Sequence, residues 1–346
     1  MKRIVVLGAG IVGLWTAYEL RERGFDVTVV SKGDHRTTTS AAAVSVLLPL
    51  LPYDPGSEEW ERNIRWERMT REKFLEVNPS SHAVEDITSF EFGKGGCLEA
   101  DFPLEKLKHL DTLCPTKHDF PSNVDGYEFA VEFGCPLAHT QTFLPWIYEY
   151  LRSKGVIFTR ELIETPNDFV NTEKKIAELD PDVIFNCLGF NEVFPDDDLA
   201  AMHGQSMFVK ADTSQYEKFG IGAEDHAVFT HSRGFYIGSY FKEGEQVAPR
   251  EELYELSREF VRNKFPVLCE SVGKKVPTIN LDAVERVNAG NRPMRKTGGR
   301  VTLDYTYSVP VVHNYGHGAQ GWTVGYGSSV EAVNLMMDGF ENGELG

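Results

Sequence analysis

Apolar positions follow two different rhythms along the chain. Residues 3–7, Arg-Ile-Val-Val-Leu, are a β-branched run cut short by glycine. That pattern predicts a buried parallel strand rather than a helix. Over residues 11–23 the spacing turns helical: Val12, Leu14, Trp15, Ala17, Tyr18 and Leu20 are apolar, the charges gather late, and Gly24 closes the segment. Residues 27–30, Val-Thr-Val-Val, form a second buried strand. Strand, helix and strand in about 30 residues make a right-handed βαβ unit.

Residues 37–43 are a hydroxyl-rich turn running into three alanines. Residues 58–77 predict an exposed, charged helix anchored at Trp60, Ile64 and Phe74, and residues 90–136 resolve only into strands and loops. Thr142 is a candidate N-cap for a helix through Leu151, with Pro145 in its first turn. A strand at 156–158, a helix at about 172–179 and a strand at 182–187 follow, the last aimed at Leu188 and Gly189. Residues 207–210, 227–230 and 234–238 predict antiparallel strands, and 250–265 a charged amphipathic helix. Strands at 301–303 and 311–313 precede a glycine-dense loop at 316–321 and a helix at about 328–337. The α/β signals sit at both ends and in the middle, with strand-rich stretches between them. The expected fold is α/β: a Rossmann-like domain (1–55, 137–203 and 285–346) interleaved with an antiparallel-sheet α+β domain (56–136 and 204–284).

Composition narrows the function classes. The 346 residues are 41% hydrophobic and 25% charged, which is ordinary for a globular chain and excludes disorder, collagen and coiled coil as the main class. The 35 Lys+Arg against 52 Asp+Glu give a formal charge of -17. Such a surface repels nucleic-acid phosphates and anionic membranes. Five cysteines without metal-finger spacing predict reduced thiols, and with no targeting segment the expected compartment is the cytoplasm. An anionic substrate would have to find its cations locally; Arg292, Arg295, Lys296 and Arg300 cluster in sequence.

Gly8-x-Gly10-x-x-Gly13 stands between the first strand and the first helix, the context a dinucleotide-binding turn requires. Gly8 permits the tight turn, Gly10 lets a pyrophosphate approach backbone, and Gly13 lets the helix pack on the strand. The helix N-terminus then offers amides and a positive dipole end to the phosphates. Ser31 or Lys32 stands where a carboxylate usually grips the adenosine ribose. His313 and His317 are four apart, but the glycine loop argues against a helical metal site, so no metal is expected.

The chain resembles the D-amino-acid oxidase family. The matching strings are residues 6–13, Thr37-Thr38-Thr39-Ser40 with Ala41 and its neighbours, residues 182–189, Gly204-Gln205, Asn291-Arg292-Pro293-Met294-Arg295, and residues 312–318, of which His-Asn-Tyr-Gly-His-Gly is the most specific. The resemblance implies bound FAD. Gly8, Gly10, Ile11, Val12 and Gly13 would hold its pyrophosphate, Ser31 and Lys32 would lie at its ribose, and Leu162 at its adenine. Thr38, Thr39, Ser40 and Ala41 would line the flavin end. Cys187, Leu188 and Gly189 would run beneath the cofactor, and Gly318, Ala319, Gln320, Gly321, Trp322 and Thr323 would surround the flavin pyrimidine. Arg292 matches the arginine that clamps a substrate carboxylate, a role suited to a bidentate guanidinium. The implied reaction is hydride transfer from the α-carbon of an amino acid or related amine to flavin, with molecular oxygen as acceptor and hydrogen peroxide as product. A homodimer is compatible with the resemblance.

Departures from the family pattern lie around the substrate. Phe229 falls near the usual active-site tyrosine, and Tyr236 is the nearest tyrosine to it. Residues 44–49 and Ala319-Gln320 also differ from the usual pattern. An ordinary D-amino acid, an acidic one, glycine or an N-methyl amino acid all stay open as substrate. So do a flavin dehydrogenase that passes electrons to a carrier and a silent dinucleotide-binding protein.

Overall fold

The computed structural model describes residues 2–48, 53–98, 104–110, 113–160, 176, 178–189, 194–238, 242–244 and 250–345. In chain order its strands are β1 (Arg3–Leu7), β2 (Asp26–Ser31), β3 (Val84–Gly93), β4 (Thr116–Val124), β5 (Tyr127–Ala138), β6 (Ile157–Arg160), β7 (Val183–Asn186), β8 (Leu199–Lys210), β9 (Phe219–Ala223), β10 (His226–His231), β11 (Gly234–Gly238), β12 (Lys242–Glu243), β13 (Val284–Arg295), β14 (Arg300–Asp304) and β15 (Val311–Tyr315). Helices α1 (Ile11–Glu22), α2 (Thr39–Ala42), α3 (Glu58–Ser81) and α4 (Thr140–Ser153) fall among them, and a long helix, Gly321–Glu341, closes the chain.

Two sheets organise the molecule. The first runs β14-β15-β7-β1-β2-β6 and is parallel except for the β14–β15 hairpin. Its near-continuous apolar strands fit burial on both faces. On one face Trp15 of α1 packs edge-on against Tyr18, Phe74 and Tyr326 and beside Phe143, so α1, α3, α4 and the C-terminal helix share one core. The second sheet runs β12-β8-β11-β10-β9-β3-β5-β4, with β13 on the other side of β8. It is antiparallel apart from the β3–β9 pair. β8 and β13 carry this sheet across the boundaries expected near residues 203 and 285.

Several expectations shift by a turn or more. α3 has a buried face of Trp60, Ile64, Trp66, Phe74 and Val77, not isolated anchors. α4 starts at Thr140, two residues before the expected cap. The last helix starts at Gly321 rather than near residue 328, because Trp322, Thr323 and Val324 are buried and packing outweighs the weak helix preference of glycine. The 90–136 stretch resolves into β3, β4 and β5; Asp125 and Gly126, both at positive φ, turn the β4–β5 hairpin. Most of the helix expected at 172–179 lies outside the described residues.

Candidate functional site

Four distant segments meet at the N-terminus of α1. β1 delivers Gly8, whose φ of +106° suits glycine. A Cβ there would stand 2.5 Å from the Cys187 carbonyl oxygen, and a Cβ on Gly13 would collide with the Gly8 carbonyl. Both glycines therefore let backbone touch backbone at the end of β1. The Ile11 amide donates to Ser40 Oγ at 2.9 Å, which ties the first turn of α1 to α2. The Trp322 indole donates to the Ser40 carbonyl at 3.1 Å, bringing the C-terminal helix to the same point. From β7, the Cys187 amide donates to Leu7 and the Leu188 amide to Asn186 Oδ1. Gly189 then turns at φ +74° against Pro293.

The remaining sequence candidates have defined places. Thr38 caps α2, and Thr39 Oγ1 donates to the Asn291 carbonyl at 3.3 Å. The Ala41 carbonyl accepts from Thr140 and Gln141. The Val12 carbonyl accepts from Ser329. Gly318, Ala319 and Gln320 form a short helical turn into Gly321, with Gly318 against Met294 and Thr323 buried. Ser31 Oγ donates to the Gly33 carbonyl, and Lys32 is exposed. The nearest carboxylate past β2, Asp34, is paired with Arg36 at 2.6 Å and Arg160 at 3.5 Å. Leu162 lies outside the described residues.

These residues fit FAD. Gly8 and Gly13 let β1, β7 and α1 meet backbone to backbone, which sets the first-turn amides of α1, without intrahelical partners, at the end of the strand where a pyrophosphate would lie. Gly8, Gly10 and Gly13 would hold the pyrophosphate, and α2 and residues 318–323 would hold the flavin end.

The 313–317 string acts as scaffold. Asn186 and His313 meet at 3.1 Å across β7 and β15. Asn314 Nδ2 donates to Thr16 and Ser329, joining the loop to α1 and the C-terminal helix. His317 Nε2 donates to Asn314 Oδ1 at 2.9 Å. Burial, reinforced by Arg62, pushes His317 down to about 3, so it is neutral. Burial beside Arg300 takes His313 down to about 4.

β13 brings the substrate candidates to this place. Gly290 packs on Thr39 and Ala42, and two residues on, the Arg292 guanidinium lies over Gly204 with Nη1 donating to the His203 carbonyl at 3.2 Å. Tyr236 and Phe229 are cross-strand partners, both buried in a cluster with Phe208, against which Val44 and Val46 pack. The Tyr236 hydroxyl is 3.4 Å from Arg286, not Arg292. Two of the expected local cations are already engaged. Arg295 pairs with Asp196 at 2.8 Å and Asp198 at 3.3 Å, and Arg300 with Asp304 at 3.6 Å.

Sequence reading missed three groups. Arg286 lies over the Phe208 ring beside Tyr236. It lines a cavity of about 540 Å³ with Lys210, His231, Arg233 and Tyr236. Glu85, His139 and His231 form the group of potential metal ligands found among the described residues. Glu85 is already held by His139 at 2.5 Å, by Lys218 and by the Ser232 amide, while His231 Nδ1 accepts from the Arg233 amide. A cation would have to displace these. The third, Glu91, is taken up below. No spacing signal marks any of them, because their partners come from other strands.

Comparison with known proteins agrees with this geometry. A family model described as FAD dependent oxidoreductase matches residues 3–335. A D-amino-acid oxidase from Rubrobacter xylanophilus is 28% identical over 348 residues, covering 96% of this chain and 95% of that protein. Among solved structures, glycine oxidase from Geobacillus kaustophilus superposes with a TM-score of 0.71 at 11% identity, over 98% of this chain and 95% of that one. L-α-glycerophosphate oxidase from Mycoplasma pneumoniae, solved with FAD bound, gives 0.66 at 15% identity over 97% and 95%.

Proposed function

The chain belongs to the FAD-dependent oxidoreductase family that includes D-amino-acid oxidase, and we propose that it is an oxidase of an amino acid or closely related amine whose carboxylate is held by Arg292. The observation that carries this reading is the meeting of β13 with the dinucleotide turn: Gly290 touches α2, Thr39 bonds Asn291, and Ser40 of the same helix bonds Ile11.

When bound, FAD supplies the two-electron acceptor, so the net reaction converts amino acid, oxygen and water to 2-oxo acid, ammonia and hydrogen peroxide. The protein's task is then orientation more than acid–base work. Arg292 lies over Gly204 with Nη1 bonded to the His203 carbonyl, which fixes the plane of its guanidinium, and a guanidinium fork suits a carboxylate. A planar bidentate clamp fixes the rotation of the adjacent α-carbon as well as its position. His317 is neutral and its Nε2–H is committed to Asn314, so it holds the 316–321 loop in place.

Arg292→Ala tests the assignment. FAD content should stay at the wild-type ratio, while KM for the amino acid rises roughly 100-fold, the worth of two charge-assisted hydrogen bonds. Steady-state kinetics on the flavin-loaded variant measures it. An unchanged KM would remove Arg292 from the site.

A further inference from the structure

β3 places a carboxylate where a sheet face should be apolar. Phe90 and Phe92 point into the apolar cluster on one side, so Ser89 and Glu91 occupy the other. Glu91 is only 4% exposed. Among the described residues its one hydrogen-bond partner is the Ser89 hydroxyl at 3.1 Å, and no cation pairs with it. A buried carboxylate without a counter-ion is costly to keep unless something recruits it. Burial accordingly pushes its carboxyl up to about 7.

The strand registers say which side of the sheet this is. Asn288 pairs with Ser206, Ser206 with Gly238, Gly238 with Ala227, Ala227 with Gly222, and Gly222 with Glu91. Directly paired residues share a face. Asn288 in turn shares its face with Gly290 and Arg292 on β13. That is the face that meets α2, Val44 and Val46. Between Ser206 and Glu91 the row holds only glycine and alanine.

Two glycines on this face each lie under one charged group. A Cβ on Gly204 would strike the Arg292 guanidinium, and a Cβ on Gly222 would strike the Glu91 carboxyl. β8 and β9 are three strand spacings apart, and the two glycines are offset by two residues along the strands. At roughly 4.8 Å per strand and 3.3 Å per residue that is about 16 Å. An amino acid with a four-carbon side chain spans about 7–8 Å between its charged ends when extended. Adding an ion-pair contact of up to about 4 Å at each end brings the full reach to about 15–16 Å.

Resting on the proposed function above, we infer that Glu91 is a specificity-determining residue that receives the distal ammonium or guanidinium of a basic amino acid whose carboxylate is held by Arg292. The substrate class is then lysine- or arginine-like rather than acidic or small. A cationic side chain gives the buried carboxylate the counter-ion the protein withholds.

The test uses flavin-loaded enzyme and compares lysine with norleucine, and arginine with citrulline, in both enantiomers. Wild type should favour the basic member of each pair at least tenfold in kcat/KM. Glu91→Gln should cut that preference at least tenfold, mainly through KM, and Glu91→Leu should do the same. FAD content and thermal midpoint report whether each variant is folded, and the preference is a ratio within one preparation. A wild type that takes norleucine as well as lysine, or a preference that survives Glu91→Gln, would overturn the assignment. Reduction by neutral amino acids only would sink this inference and leave the amino acid oxidase standing. Reduction by no amino acid would sink both.

Discussion

Gly13 and Glu91 show the two limits of reading single residues. The role of Gly13 is set by neighbours close in sequence. It follows Gly8 by five positions, and the carbonyl that excludes its Cβ belongs to Gly8 itself. Spacing therefore reveals it. Gly13→Ala should push α1 off β1 and lower the FAD content of purified protein at least tenfold, read from the flavin-to-protein absorbance ratio; full occupancy would contradict the packing argument. Glu91 sits in Ser-Phe-Glu-Phe-Gly, an alternation that ordinarily marks one wet face. Alternation separates two faces but does not say what covers each. Only the register through six strands turns the polar face inward. Arg292 stood out through its Arg-Pro-x-Arg setting, and its guanidinium lies over Gly204, whereas the link of Tyr236 to Arg286 had no signal, because strands fifty residues apart make it.

The elements built on local rhythm, β1, α1 and β2, were legible nearly to the residue, whereas β13 was not assigned as a strand because it mixes glycine, proline and charge. The junction at Glu85 was equally hidden. Glu85 on β3 ties the start of α4 through His139, the approach to β9 through Lys218, and the β10–β11 turn through Ser232. Burial works to raise its carboxyl, but these hydrogen bonds outweigh burial and hold it well below the usual range. A depressed carboxylate stabilises the fold above the unfolded-state value, near 4.5, and that contribution drains away as pH falls below it. Three depressed histidines act higher. His231, which burial and His139 take down to about 3, joins His313 and His317 in staying neutral while the unfolded chain protonates below about 6.5. Thermal midpoints should therefore fall from pH 6.5 downward in both wild type and Glu85→Gln. The variant should be less stable at pH 7 by about 1–3 kcal/mol. Its acid slope should be shallower only below about pH 4.5. Parallel curves over the whole range would show that Glu85 bears no stability.

At the scale of the whole molecule the charge of -17 takes on a different meaning. By sequence it opposed an anionic substrate, with Arg295, Lys296 and Arg300 as local relief. Arg295 and Arg300 are tied to aspartates, which leaves less of that relief. A net-cationic amino acid meets no such conflict, since the acidic surface draws it in. Raising ionic strength from about 0.01 M to 0.15 M shortens the screening length from about 30 Å to 8 Å. KM for a basic substrate should then rise roughly twofold to fivefold, while that of a neutral zwitterion stays level. A KM for the basic substrate that is flat or falls with salt would contradict the field argument. Whether the long-range field matters or not, the chain is expected to hold FAD and reduce it with an amino acid. The direct measurement is the visible spectrum of the purified protein, titrated anaerobically with amino acids and then exposed to air. The protein should be yellow and bleached by one amino acid class, with colour and an equivalent of hydrogen peroxide returning on aeration. A colourless protein that takes up no FAD, or a flavin left oxidised by every amino acid and amine, would contradict that expectation.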